Sequence, residues 1–241
     1  MENYSQNRIL FIHIPKSAGS SFRETLIKPN NLSYKNYRGI RKLIFDYKKI
    51  NAIGGHMPYG VHLFFREYQY ITFLRDPVQR AISHYFFMKQ KPIGKYPNAN
   101  KPHRILHNKT KLEDIFKATQ FHKYYFSVFS LIDNLQTRYL AGYKYFWMPS
   151  NSNVLLNAAM NNLRNNISLF GIKEDYDNSL KIFENYFNWK RIKFKSRLRN
   201  TRIDKKVSEK ELQIIKQNNK LDIILYDYAL ELYEKNKKLY L

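Results

Sequence analysis

The stretch that most constrains the fold lies at positions 8–28 (RILFIHIPKSAGSSFRETLIK), where an apolar run gives way to small and polar residues. Residues 8–14 are rich in isoleucine, which is typical of a strand that is buried on both faces in a parallel sheet. Pro15 ends this run. From Phe22 the pattern predicts a helix that Pro29 closes.

The residues between this strand and this helix have the composition of an anion site: Pro15, Lys16, Ser17, Ala18, Gly19, Ser20 and Ser21. Backbone N–H groups and the positive end of the helix dipole point into such a loop, so phosphate or sulfate is the expected ligand. The loop is not a Walker A motif, which needs an earlier glycine and a lysine directly after the second one. An ordinary strand-to-helix turn with a solvated lysine is the alternative.

Three further segments have the β-branched and aromatic character of strands: 51–56 (NAIGGH), 70–74 (YITFL) and 168–172 (SLFGI). Helices are predicted at 78–88, 123–140, 153–166, 177–187 and 222–235. Residues 30–49 are polar and basic, and we expect an excursion that ends in a short helix. This alternation predicts an α/β fold with a short central parallel sheet flanked by helices. We expect residues 1–241 to form a single domain, because the length suits one core.

Capping boxes are predicted at two helix starts. Ser21 and Glu24 have the required spacing near the first helix, and Thr110 and Glu113 have it before a later helical stretch. Ser208 and Glu211 are predicted to start the last pair of helices.

Three polar residues each follow the end of a predicted strand: Lys16, His56 and Arg75. Ligands of open parallel sheets bind at the carboxyl ends of the strands, so we expect these side chains to meet in one cleft. After the third of them, Asp76 and Pro77 have the residue types favoured at the cap and the first position of a helix.

The charge balance favours polyanionic partners. Lys and Arg number 42 and Asp and Glu number 19, which gives a net charge of +23. Such a charge suits nucleotides, nucleic acid, anionic glycans or a membrane surface, although the lysines are spread along the chain as in a compositional bias. The absence of cysteine excludes disulfides and thiolate chemistry.

The N-terminus is polar, and no apolar run approaches the roughly 18–20 residues that a membrane span needs. We therefore expect a cytoplasmic protein without a membrane span.

Three motifs carry a family resemblance: IHIPKSAGSSF at 12–22, GGHMPYG at 54–60 and TFLRDPVQRAISHYF at 72–86. In this order they resemble the sulfotransferases that use 3′-phosphoadenosine 5′-phosphosulfate (PAPS). The branch that the chain is most similar to is the carbohydrate, heparan sulfate 2-O-sulfotransferase-like one with its bacterial relatives. The segments 133–142, 170–180 and 221–229 are similar to that branch as well. The resemblance implies a P-loop-like three-layer sandwich.

The resemblance also implies roles for residues of the predicted cleft. The loop at 15–21 would hold the 5′-phosphosulfate, with Lys16 at the bridging oxygen as catalytic residue. Arg75 and Ser83 match the pair that binds the 3′-phosphate, and His56 matches the general base. The alternatives are a salt bridge of Arg75 with Asp76 or another acid, a helix-surface serine and a turn histidine.

A basic stretch at 191–202 occupies the place of the family's loop over the adenine and the 3′-phosphate. Arg197, Arg199 and Thr201 are candidates there, with a solvated basic loop as the alternative. His13 is expected to be structural. The remaining histidines show no metal-ligand spacing, and no metal site is expected.

The expected function is therefore PAPS-dependent O-sulfation of a hydroxyl-bearing acceptor, with a saccharide favoured over a small metabolite or a glycolipid. A nucleotide-dependent phosphotransferase is the first rival, but the Walker A order and a magnesium carboxylate are missing. A nucleic-acid-binding protein is the second rival, but zinc-finger spacing and RNP-like strands are missing, so no nucleic-acid partner is expected.

Overall fold

The computed structural model describes residues 8–30, 34–37, 50–60, 68–89, 133–146, 148, 152–192 and 207–241. Its strands form one sheet: β1 (Ile9–Ile12), β2 (Tyr34–Tyr37), β3 (Ala52–Gly55), β4 (Gln69–Leu74) and β5 (Ile167–Ile172). They pair in the order β2-β3-β1-β4-β5, and every pairing is parallel. The predicted α/β class with a central parallel sheet is confirmed.

Burial explains why four of these strands follow the apolar runs of the sequence. β1 lies at the centre of the sheet, and its four side chains are all at most 1% exposed. β3 and β4 flank β1, and β4 in turn pairs with β5. β2 was not predicted, because its sequence YKNY is polar. It is an edge strand that pairs with β3 alone, so it does not need an apolar run.

The longer described helices flank this sheet, and all but α3 agree with the sequence pattern to within about five residues. They are α2 (Pro77–Lys89), α3 (Leu135–Ala141), α4 (Asn153–Asn165), α5 (Tyr176–Phe187), α6 (Glu209–Asn218) and α7 (Lys220–Tyr240). The predicted start of α6 is confirmed, and Ser208 and Glu211 form a capping box there. Thr110 and Glu113 lie outside the described residues. Among the helices within the described ranges, none combines the length and the apolar character needed to cross a bilayer.

The first helix begins earlier than predicted. α1 (Gly19–Phe22) follows Ala18, whose φ is 66°, and it continues as a π-helical turn over Arg23–Ile27. The predicted capping box of Ser21 and Glu24 is wrong. The Glu24 carboxylate instead accepts hydrogen bonds from Arg23 at 2.8 Å and from Lys28 at 2.7 Å.

The helix predicted at 123–140 does not run continuously through the described residues. α3 begins at Leu135, because Asn134 has a left-handed φ of 45°. The Asn134 side chain accepts hydrogen bonds from the backbone N–H groups of Leu221 at 2.9 Å and of Asp222 at 3.1 Å. This contact joins the start of α3 to the start of α7. Residues 123–132 lie outside the described residues.

Candidate active site

The three polar residues that follow strands lie at one edge of the sheet. Ile12, near the end of β1, pairs with Gly55 of β3 and with Thr72 of β4. After β1 the chain adds β2 and β3 on one side and then β4 and β5 on the other, so the strand order reverses at β1. The carboxyl ends of the strands at such a switch point are where parallel sheets bind ligands. After β1, His13 contacts His56, which follows β3, and Lys16 contacts Arg75, which follows β4.

The loop after β1 has a strained backbone and a buried, unsatisfied hydroxyl. Lys16 and Ala18 have φ angles of 70° and 66°, a left-handed conformation that costs energy in residues other than glycine. Ser17 is 1% exposed, and its Oγ has no hydrogen-bond partner within the described ranges. Strain and an unsatisfied buried donor together are typical of a loop shaped around a ligand. These features fit the anion site that the sequence predicts.

The side chain of Lys16 extends towards α2. Its Nζ lies 4.3 Å from the centre of the Phe87 ring, which is a cation–π distance. Ser83 lies one helical turn before Phe87, so both residues belong to the same face of α2. Ser83 itself is partly exposed. The structure thus brings the predicted lysine to the side of α2 that carries the predicted serine.

His56 lies on the surface directly after β3, and a hydrogen bond fixes its ring. Its Nδ1–H donates to the carbonyl oxygen of His13 at 2.7 Å. Because a carbonyl can only accept, the neutral imidazole carries its proton on Nδ1 and its basic lone pair on Nε2. This tautomer suits a general base.

His13 packs between this histidine and the loop. The centres of the His13 and His56 rings are 4.6 Å apart, and the His13 ring stacks on Phe11 at 5.5 Å. Burial, assisted by the nearby positive groups of His56, Arg23 and Lys16, lowers the pKa of His13 to about 3. His13 is therefore neutral at physiological pH.

Gly19 is the residue on which the His13 ring rests. A Cβ atom at position 19 would lie 2.2 Å from Cδ2 and 2.5 Å from Nε2 of His13, which is far inside van der Waals contact. Only glycine fits here unless the ring or the loop moves.

Gly19→Ala is therefore expected to destabilise the protein by about 1–3 kcal/mol through overpacking. Helix propensity alone would give the opposite sign, a gain of about 0.5–1 kcal/mol. Urea unfolding measures the difference, with Ser20→Ala at the neighbouring exposed position as the control. A stabilised Gly19→Ala variant would show that the ring does not rest on this glycine.

Arg75 is held by hydrogen bonds at its backbone and at Nη1 of its side chain. Its Nη1 donates to the carbonyl oxygen of Lys16 at 3.1 Å. The Gln136 amide accepts from the backbone N–H of Arg75 at 2.9 Å and donates to its carbonyl at 2.8 Å. Burial lowers the pKa of Arg75, and the carboxylates of Glu174 and Asp76 oppose that shift.

An acid does accompany Arg75, as the alternative interpretation of this residue anticipated. The acid is Glu174, whose Oε1 lies 3.8 Å from Arg75 Nε, a distance too long for a hydrogen bond. Asp76 instead caps α2, because its Oδ1 accepts from the backbone N–H of Gln79 at 2.7 Å, as predicted. The Arg75 side chain is only 14% exposed, so this ion pair does not displace it to the solvent.

Sequence analysis did not assign roles to Gln136 and Glu174. Oε2 of Glu174 accepts hydrogen bonds from the Tyr226 hydroxyl at 2.8 Å and from the Asp76 backbone at 3.2 Å. Gln136 and Glu174 lie in the segments 133–142 and 170–180, which resemble the family, but no sequence spacing connects either residue to Arg75. Only the fold brings these distant segments together.

Arg199, like Arg197 and Thr201, lies outside the described residues. Arg191, at the start of the same basic stretch, pairs with Glu184 at 2.7 Å and with Asp177 at 3.3 Å. Within the described part of the chain, no group of three or more His, Asp or Glu residues could hold a metal ion.

The chain is similar to several heparan-sulfate 6-O-sulfotransferases. It is 25% identical to heparan-sulfate 6-O-sulfotransferase 1 of Cricetulus griseus over 94% of this chain and 67% of that protein. It is 28% identical to heparan-sulfate 6-O-sulfotransferase 3 of Homo sapiens over 72% of this chain and 40% of that protein. It is 31% identical to heparan-sulfate 6-O-sulfotransferase 2 of Danio rerio over 70% of this chain and 38% of that protein. The alignments thus span between about two fifths and two thirds of these relatives.

These relatives carry a 6-O name, whereas the sequence motifs were compared above with the 2-O branch. The family is common to both. Residues 4–229, nearly the whole chain, match the sulfotransferase family. The predicted resemblance is confirmed at that level, and the chain belongs to the sulfotransferase family.

Proposed function

We propose that this chain transfers the sulfuryl group of PAPS to a hydroxyl group of a carbohydrate. One observation carries the proposal: His56 donates a hydrogen bond to His13, three residues before the lysine of the anion loop. A base candidate and an anion loop at the same sheet edge are the two parts that sulfuryl transfer needs.

The donor's 5′-phosphosulfate would be held by the loop at 15–21. The buried Oγ of Ser17 would donate to an anionic oxygen and so gain the partner that it lacks within the described residues. Backbone N–H groups at the start of α1 and the ammonium of Lys16 would add positive potential. The cation–π contact of this ammonium with the Phe87 ring is worth about 0.5–2 kcal/mol, which charge-assisted bonds to a phosphosulfate can exceed.

The donor's 3′-phosphate would be bound by Arg75, with Ser83 supplying a hydroxyl. Nη1 donates to the Lys16 carbonyl, whereas Nε is buried and has no hydrogen-bond partner within the described residues, so the guanidinium retains donor capacity for a phosphate. Charge-assisted hydrogen bonds from a held guanidinium are strong and directional. Arg199 would contribute from the basic stretch at 191–202.

In the transfer step, the acceptor oxygen attacks sulfur while its proton passes to Nε2 of His56. The bond between sulfur and the bridging oxygen breaks, and its electron pair remains on the departing phosphate. Lys16 stabilises this developing negative charge. The products are a sulfate ester, a protonated His56 and adenosine 3′,5′-bisphosphate.

A carbohydrate acceptor is supported by the names of the relatives, which are heparan-sulfate sulfotransferases. The net charge of +23 would favour an anionic glycan. A small hydroxylated metabolite or a glycolipid is the alternative acceptor.

The proposal is tested by incubating the protein with sulfur-labelled PAPS and three acceptor classes: heparan sulfate, neutral oligosaccharides and simple phenols or alcohols. Label is expected in a polysaccharide, with transfer to the anionic glycan reduced by salt. If only the phenols or alcohols became labelled, the acceptor would be a small molecule and not a carbohydrate. Transfer to none of the three classes would contradict the proposal.

A further inference from the structure

His13 contacts both halves of the proposed site, although the transfer step above does not use it. It is the first residue after β1, and its ring lies between His56, which follows β3, and Gly19, which begins α1. Its backbone and its ring make separate contacts.

The backbone of His13 forms a closed pair of hydrogen bonds with the end of β3. Its N–H donates to the carbonyl oxygen of Gly55 at 3.0 Å, and its own carbonyl accepts from Nδ1 of His56 at 2.7 Å. The first bond fixes the main chain just before His56, and the second fixes the imidazole. Together they set both the position and the tautomer of the proposed base.

The ring of His13 fills the space between His56 and the donor loop. Its centre is 4.6 Å from the centre of the His56 ring, and Gly19 lies against its other side, where an added Cβ would be 2.2 Å away. The Phe11 ring stacks on the His13 ring at an interplanar angle of 17°. A ring held on three sides transmits the position of one neighbour to another.

A charged ring at this point would act against the site. The groups with positive charge that face His13 are Lys16, Arg23 and, when protonated, His56. All three of them disfavour a second cation here, and burial does so more strongly. An uncharged ring therefore separates the base from the loop without repelling the imidazolium that forms during transfer.

We propose that His13 is a positioning residue, a neutral aromatic spacer that sets the distance and orientation between His56 and the anion loop. This inference rests on the proposed function, because it assigns His13 a role through His56. Misplacement of a catalytic group by about 1 Å can reduce a rate by about 100-fold.

The test compares His13→Ala, which removes the spacer, with His13→Phe, which keeps a neutral ring. Turnover is measured with labelled PAPS and heparan sulfate, and donor-site binding with adenosine 3′,5′-bisphosphate. For His13→Ala we expect kcat to fall by about 10- to 100-fold, in line with misplacement of the base. Its affinity for the bisphosphate should stay within about threefold, because the direct anion ligands are unchanged.

His13→Phe is expected to recover most of the lost turnover without changing the shape of the pH–rate profile, since His13 itself does not titrate near neutral pH.

In a His56→Ala background, His13→Ala should cause no further loss of turnover, because the group that His13 positions is gone. Nitrogen NMR of the labelled imidazoles gives a readout independent of turnover. The His56 signals should show the Nδ1–H tautomer in the wild type. In His13→Ala the backbone carbonyl remains, but the ring that packs His56 against it is gone, so we expect part of the population to lose this hydrogen bond and to adopt the other tautomer.

Three outcomes would overturn this inference. The first is a His13→Ala variant that is less stable but turns over normally. The second is an equal loss of turnover with and without His56, which would show that His13 does not act through it. The third is normal turnover in His56→Ala itself, which would remove the proposed base and with it any residue that positions the base.

Discussion

Replacement of His56 by alanine is expected to lower kcat by about 10²- to 10⁴-fold, the usual contribution of a general base. The imidazole is exposed after β3 and donates its Nδ1–H to the His13 carbonyl, which leaves the basic lone pair on Nε2. Removal of this ring takes away the proton acceptor and none of the proposed phosphate ligands. Binding of adenosine 3′,5′-bisphosphate should therefore persist within a few-fold of the wild type.

His56→Asn separates base catalysis from packing. The asparagine amide can still donate a hydrogen bond towards the His13 carbonyl, but it has no basic nitrogen. We expect it to be about as inactive as His56→Ala in steady-state transfer of labelled sulfate. Substantial activity of either variant would remove His56 from the mechanism.

Replacement of Asp222 by alanine is expected to have the largest effect on stability, a loss of about 3–5 kcal/mol. Asp222 and Arg80 are both 0% exposed. Burial lowers the pKa of Arg80 and raises the pKa of Asp222, and the charge of each opposes the shift of the other. The carboxylate also accepts hydrogen bonds from Thr137 N–H and Oγ1–H, both at 2.7 Å, and from Gln136 N–H at 3.1 Å. Without it, the buried guanidinium of Arg80 loses a nearby negative charge, and the Thr137 and Gln136 donors lose their acceptor.

Urea unfolding of Asp222→Ala and of Asp227→Ala measures this effect. Asp227 is an exposed aspartate on the same helix, α7, and its replacement should change the free energy of unfolding by less than about 0.5 kcal/mol. The folded fraction of Asp222→Ala should also bind the 3′-phosphate more weakly, because Gln136 connects Asp222 to the backbone of Arg75. A loss of stability no larger than that of the control would show that the buried pair does not stabilise the fold.

Local sequence was sufficient to predict the elements whose burial dictates their composition. The isoleucine-rich run of β1 and the aromatic run of β4 are apolar because both lie inside the sheet. β2 has no such signal, since an edge strand is specified by backbone pairing with β3. The failed capping box at Ser21 has a comparable cause: Arg23 and Lys28 compete for the Glu24 carboxylate, and spacing alone does not reveal that competition.

The same distinction applies to the site. Lys16, His56 and Arg75 were predicted to meet because each follows a parallel strand. Arg75 does contact the backbone of Lys16, whereas His56 contacts His13 at the end of β1. Gln136 and Glu174 contact Arg75 from segments 61 and 99 positions further along the chain, so their roles depend on the packing of α3 and β5 against β4. No local pattern encodes such contacts.

The most direct test of the central claim is titration calorimetry of the purified protein with adenosine 3′,5′-bisphosphate, with ATP and 5′-AMP as controls at moderate salt. The bisphosphate should bind at least about tenfold more tightly than 5′-AMP, as expected for charge-assisted hydrogen bonds to the 3′-phosphate. Arg75→Ala should abolish most of that preference. Equal binding of the bisphosphate and 5′-AMP by the wild type would contradict a PAPS site and with it the proposed sulfotransferase mechanism.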